Sequence, residues 1–141
     1  MIDPKELMIG NWILDHAGVP RQVVLVCEGL IKLDLQNGGG VQRYEDDPIL
    51  SPHIKFLKPI ELTEKWLIDL QFGLISKPDE IPTYRIRDFI IDYVPEMNCY
   101  WLETNNELQT SPIRFVHEIQ NLHLTLTQTH LTRQIAKNET G

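Results

Sequence analysis

Gln120 and Asn121 lie three and four residues after His117 in the stretch Ile113-Arg-Phe-Val-His-Glu-Ile-Gln-Asn-Leu-His-Leu-Thr-Leu. On a helix the three share one side. A histidine with an asparagine one turn later can hold and orient a proton-transfer group, so His117 and Asn121 are the residues a small hydrolase-type enzyme would use. The commoner role is structural. A polar group beside an apolar stripe needs a partner in any case, and both residues are expected to bridge to neighbouring strands by hydrogen bonds. His123 falls in the middle of the apolar arc and reads as a packed ring with one hydrogen bond.

Other chemistries find little support. The metal-ligating candidates are His16, His53, His117, His123, His130, Cys27 and Cys99. No pair of them has finger, ribbon or H-E-x-x-H spacing, so no metal and no cofactor are expected. Glu45-Asp46-Asp47 lacks the spacing of a calcium loop. Asp88, Asp92 and Glu96 could pair as hydrolytic carboxylates, but exposed acids on a sheet edge commonly guard against aggregation. Gly38-Gly39-Gly40 precedes neither a helix nor a Lys-Ser/Thr pair, which argues against a phosphate cradle. There is no Gly-x-Ser-x-Gly elbow, and neither cysteine has a histidine nearby in sequence. The two cysteines read as reduced thiols, with Cys27 packing as a small hydrophobe.

A binding surface is better supplied. Trp12, Trp66, Tyr93, Tyr100 and Trp101 are the aromatic candidates for interface anchors, although Trp66 and Trp101 are as readily core residues. The net charge of −7 opposes nucleic-acid phosphates. A nucleic-acid module would need a continuous basic stripe through Arg21, Lys32, Arg43 and Lys55. A protein partner or a homo-oligomer fits the composition better. The apolar runs are a few residues long, far short of the roughly 20 that span a bilayer, so no membrane association is expected. The start of the chain has no basic-then-apolar leader pattern, and a cytoplasmic location is the reading.

The elements that must position these residues follow from periodicity. The first sixty residues give short strands divided by turns: a first strand within 6–14 containing Gly10, a buried strand over 22–27, an alternating strand over 30–36, a return over 41–44 and another over 53–57. Thr63 reads as the N-cap of a helix that buries Trp66, Leu67 and Leu70 and stops at Gly73. Residues 76–82, with Pro78 and Pro82, are irregular. A long strand is expected over 83–94 and a returning one over 99–102, with a second reversal at Asn105-Asn106. Ser111-Pro112 either caps the last helix directly or ends a short strand containing Ile113 and Phe115. That helix carries Val116, Ile119, Leu122, Leu124 and Leu126 over more than half of its circumference, so it should be covered on most sides. The tail from Thr127 is expected to fray.

Three segments carry a resemblance. Leu7-Met-Ile-Gly-Asn-Trp-Ile, Pro59-Ile-Glu-Leu-Thr-Glu-Lys-Trp-Leu and Phe115-Val-His-Glu-Ile-Gln-Asn-Leu-His-Leu resemble, in order and distance, a family of short uncharacterised bacterial and prophage proteins. Those open on R-I-G-N-W-V and carry an I-P-L-T-E-E-W-L helix and a Y-V-H-Q-L-Q-N-L-Y-F-A-L-T helix. Met8, Glu118 and His123 depart from that pattern, and Gln128 stands where the family turns with glycine, so the helix is expected to run on toward His130. The resemblance implies a phage- or mobile-element-derived accessory protein and assigns no chemistry. Taken together, the chain reads as α+β: a β-rich lobe over 1–62, a small curled sheet or SH3-like barrel, and an α+β lobe over 63–141 in which a connecting helix leads to an antiparallel meander packed on the C-terminal helix. The two lobes would form one compact domain.

Overall fold

Alternation of apolar and polar residues builds the first sheet. In the computed structural model, which describes residues 2–36, 38–45, 47, 49–103 and 112–134, strand β3 (Leu30–Asp34) buries Ile31 and Leu33 and leaves Leu30, Lys32 and Asp34 partly exposed. It lies between β2 (Pro20–Cys27) and β4 (Val41–Glu45). On its far side β2 pairs with β1 (Trp12–Leu14), and β1 pairs with the short β5 (Lys58–Pro59). Every pairing is antiparallel, in the order β4-β3-β2-β1-β5. Register slips between Val23 and Leu25, a bulge of the kind that bends and twists a strand. The inner face joins Ile2, Leu7, Ile13, Val23, Ile31, Leu33, Tyr44, Ile54 and Leu57 in one core.

Several sequence expectations are corrected in this sheet. Only Val23 of β2 is fully buried, and Cys27 is exposed rather than packed. Residues 53–57 form a 3-10 turn (Ile54–Phe56) instead of a strand. Five alternating residues suit either form. Here the two deeply buried positions, Ile54 and Leu57, are three apart, which matches the three-residue period of the 3-10 turn. The opening segment is likewise a 3-10 turn (Pro4–Glu6) capped by Asp3, and Gly10 takes φ +98 in a turn before β1 begins.

The second sheet runs β6-β7-β8-β9, also antiparallel. It follows helix α1 (Glu64–Asp69), whose N-cap Thr63 accepts the Trp66 N–H. The helix ends at Leu70, with Gln71 at φ +74, so the stop precedes Gly73, which opens β6 (Gly73–Leu74). The single strand expected over 83–94 is a hairpin of β7 (Thr83–Ile86) and β8 (Phe89–Val94), turned by Arg87 at φ +51 and Asp88. Neither residue is Gly, Asn or Pro, so residue type alone does not mark the turn. The returning strand β9 (Cys99–Leu102) is as expected, and Tyr100 also bridges to Ile113. Ile113 thus makes an isolated bridge rather than a strand, and the last helix starts only at Val116.

Helix α2 spans Val116–Thr127 and stops there, because Gln128 takes φ +60. The run toward His130 does not occur. Residues after α2 do not simply fray: Leu131 is buried, and backbone contacts continue to Gln134. The expected reversal at Asn105-Asn106, Ser111 and the end of the tail lie outside the described residues. The chain divides into two compact units, Met1–Ile60 with Phe115–Asn121, and Glu61–Arg114 with Leu122–Gly141. The first turns of α2 thus belong to one unit and its last turns to the other. The protein is α+β, with two antiparallel sheets and a C-terminal helix.

Candidate functional site

The first turn of α2 is fixed before its side chains act. Glu118, third in the helix, reaches back to accept the Phe115 N–H at 3.0 Å, and the Val116 N–H donates to the Ile60 carbonyl at 2.9 Å. Two of the donors a helix leaves open are thereby satisfied. Val116 and Ile119 sit fully inside, and His117 and Gln120 are buried beside them.

Gln120 and Asn121 meet the Gly10-Asn11-Trp12 turn. Gln120 Oε1 accepts the Trp12 N–H at 2.9 Å, and its Nε2 donates to the Gly10 carbonyl at 2.9 Å. One side-chain amide thus replaces a strand partner, satisfying a donor and an acceptor of the same backbone stretch. Asn121 Oδ1 accepts from Asn11 Nδ2 at 2.7 Å, and Asn121 Nδ2 donates to the Glu6 carbonyl at 2.8 Å. Asn11 Oδ1 in turn accepts the Met8 N–H at 2.8 Å. The polar residues of the final motif and of the opening motif therefore hydrogen-bond each other.

His117 is different. It is 2% exposed, its ring is parallel to that of Phe115 with centroids 6.0 Å apart, and neither ring nitrogen has a hydrogen-bond partner among the described residues. The nearest acid, Glu6, brings Oε2 to 3.5 Å of Nε2, too long for a sound hydrogen bond. Burial holds the imidazole below its usual pKa, and Glu118 and Glu6 offset this only in part. The ring is neutral at physiological pH. Asn121 lies one turn away, but both ends of its amide are engaged with Asn11 and Glu6, so His117 and Asn121 do not form a hydrogen-bonded pair.

The remaining candidates are placed as follows. His123 is buried, donates from Nδ1 to the Thr129 carbonyl at 2.8 Å and meets the Phe89 ring edge-on at 4.9 Å. Among the proposed aromatic anchors, Trp12, Trp66 and Tyr100 are buried, whereas Tyr93 and Trp101 are half-buried. Burial pushes the Tyr100 hydroxyl up to about 12, so it stays protonated near neutrality. Asp92 accepts from the Thr83 hydroxyl, and Asp88 and Glu96 are exposed. Arg21 is paired with Asp15 and Arg43 with Glu45, so two of the four cations of the expected basic stripe are matched by acids. No group of three or more His, Cys, Asp or Glu side chains could hold a metal ion among the described residues, and no described helix is long and apolar enough to cross a membrane.

Three features were not foreseen. His16 shares a 2.6 Å hydrogen bond with the buried Tyr44 hydroxyl and stacks on His53 at 4.4 Å, residues whose separation in sequence gives no hint of the cluster. A cavity of about 450 Å³ opens at the β2–β3 hairpin, with Lys5, Cys27, Leu30, Ile31 and Ile54 among its walls. More prominent is the turn after β4. Ile49 is 87% exposed and Leu50 65%, although the turn itself is well built. Asp47 accepts the N–H groups of Ile49, Leu50 and Ser51, and the Ser51 hydroxyl accepts the Glu45 N–H. Sequence reading passed over Ile49 and Leu50 because they sit among acids and prolines and show no period. Comparison with protein-family models, curated proteins and solved structures found no match.

Proposed function

We propose that this protein acts by holding a protein partner, as a non-enzymatic accessory protein of phage or mobile-element origin. The observation that carries the reading is the pair Ile49-Leu50, whose N–H groups bond Asp47 and whose two large apolar side chains are displayed to water. Single exposed apolar residues are ordinary, but adjacent ones on a hydrogen-bonded turn hold apolar area in a defined place at little ordering cost. The engagement of Gln120, Asn11 and Asn121 in internal hydrogen bonds supports the same reading, since these groups are not available to a substrate. The mobile-element origin is supported by the three-segment resemblance.

The test is differential capture from a host lysate with wild type and an Ile49→Asp/Leu50→Asp double variant. The expected result is a partner held by wild type and lost by the variant, with the two proteins melting within a few degrees of each other. Equal capture by both, or none by either, would refute the reading. A hydrolase using His117 predicts a different result, loss of a turnover in His117→Ala with capture unchanged.

A further inference from the structure

The β2–β3 hairpin turns at Glu28-Gly29, with Cys27 opposite Leu30 and Gly29 at φ +75. The cavity of about 450 Å³ opens against this turn. Ile31 and Ile54, 2% and 7% exposed, are its buried part, and the half-buried Pro4, Val26 and Leu30 continue the apolar wall. Small-molecule sites occupy roughly 300–1,000 Å³ and combine such walls with a few polar groups that orient the occupant.

The polar groups here are Lys5 and Glu28, both exposed, and the Cys27 thiol. Lys5 comes from the 3-10 turn that Asp3 caps, and Glu28 from the hairpin turn. Two opposite charges at one opening could satisfy each other by pairing. They do not: among the described residues neither side chain forms an ion pair or a hydrogen bond, and Lys5 bonds Asp3 through its backbone N–H. An anion in the cavity would meet Lys5 but face Glu28, and a cation would meet Glu28 but face Lys5. An occupant that carries both charges suits both.

We propose that this cavity binds a small zwitterion with an apolar body, of the size and class of an apolar dipeptide. Its ammonium pairs with Glu28, its carboxylate with Lys5, and its side chains displace water from Ile31, Ile54 and Leu30. A single amino acid would fill only part of the space. The site shares no residue with the Ile49-Leu50 pair, so either reading can fail without the other.

Cys27 supplies the readout. It borders the cavity and is exposed, whereas Cys99 is fully buried, so iodoacetamide added to the folded chain reports on Cys27. Leucyl-leucine is titrated to about 10 mM, which reaches millimolar affinities. Three relatives are compared with it: the N-acetylated form, without the ammonium; the C-terminal amide, without the carboxylate; and glycyl-glycine, without the apolar body. Leucyl-leucine should slow alkylation of Cys27. The acetylated and amidated forms should need about fivefold more to do so, the upper range for a solvent-facing ion pair, and glycyl-glycine should have no effect. Lys5→Gln should erase the preference for leucyl-leucine over its amide, and Glu28→Gln the preference over the acetylated form. Both positions are exposed, so neither change disturbs the core. Unslowed alkylation with no heat of binding by calorimetry, or equal slowing by all four compounds, would overturn the proposal. Variants that keep both preferences would overturn it as well.

Discussion

Two neighbours on one helix, His117 and Gln120, make opposite cases for what a buried polar side chain does. Gln120 completes the hydrogen bonding of Trp12 and Gly10, so Gln120→Leu leaves the Trp12 N–H without its acceptor in a buried place. Loss of about 2 kcal/mol in urea unfolding is expected, within the range for an orphaned buried group. His117 has no such partner, and His117→Leu exchanges an unsatisfied ring for an apolar side chain of similar size and different shape. A change of no more than about 1 kcal/mol in either direction is expected from the same measurement, because removed desolvation offsets lost packing. A loss equal to that of Gln120→Leu would mean that His117 holds a partner of comparable worth. The types and spacing of these residues were visible in the sequence, as was their common face. Which one was bonded was not, because the acceptors and donors of Gly10 and Trp12 lie more than a hundred residues away.

At the scale of elements, the missed helix ends and the missed hairpin share one cause: left-handed backbone at residues whose type does not announce it. Gln71 closes α1, Arg87 turns the β7–β8 hairpin, and Gln128 closes α2, all at positive φ without glycine. At Arg87 a signal was present. Tyr84 is buried on one parity and Phe89 and Ile91 on the other, and such a change of phase marks a turn. At Gln128 the expectation ran the other way: glutamine was read as letting the helix continue, and the backbone turns there all the same. Gln128→Gly should stabilise the protein by up to about 1 kcal/mol by relieving the left-handed cost, read as a raised urea midpoint at unchanged slope. An unchanged or lowered midpoint would mean that the Gln128 side chain contributes more than its backbone costs. Where a cap was conventional the sequence sufficed: Thr63→Ala should cost about 1 kcal/mol through loss of the bond from the Trp66 N–H.

For the whole molecule the testable consequence is a dependence of stability on pH, drawn from both units. Burial lowers the pKa of His117 in one unit and of His123 in the other. The unfolded chain therefore binds more protons than the folded one once pH falls below about 6.5. Stability is full above that pH and is lost progressively as pH drops through the folded values. A second loss starts below the usual carboxylate range. Burial raises the Asp15 carboxyl, but its bonds from the Val19 and Ala17 N–H groups and from Arg21 outweigh this and leave it lowered. Urea midpoints at pH 7.5 and 5.5 should differ, and His117→Leu should shrink the difference. A midpoint indifferent to pH over this interval would refute the assignment of both rings as buried and neutral.

Local periods and caps by themselves determined the class of this protein, most of its strands and the cap of α1, because those depend on neighbours a few residues apart; of the apolar arc expected for α2, Val116 and Ile119 are buried, Leu122 and Leu124 half-buried and Leu126 exposed. Tertiary structure alone decided that α2 contributes to both units, that Gln120 and Asn121 close on Gly10 and Asn11, and that Arg133 stacks on Trp66. Each of those requires groups distant in sequence to meet. No spacing along a chain encodes which buried donor will find which acceptor once the core has closed.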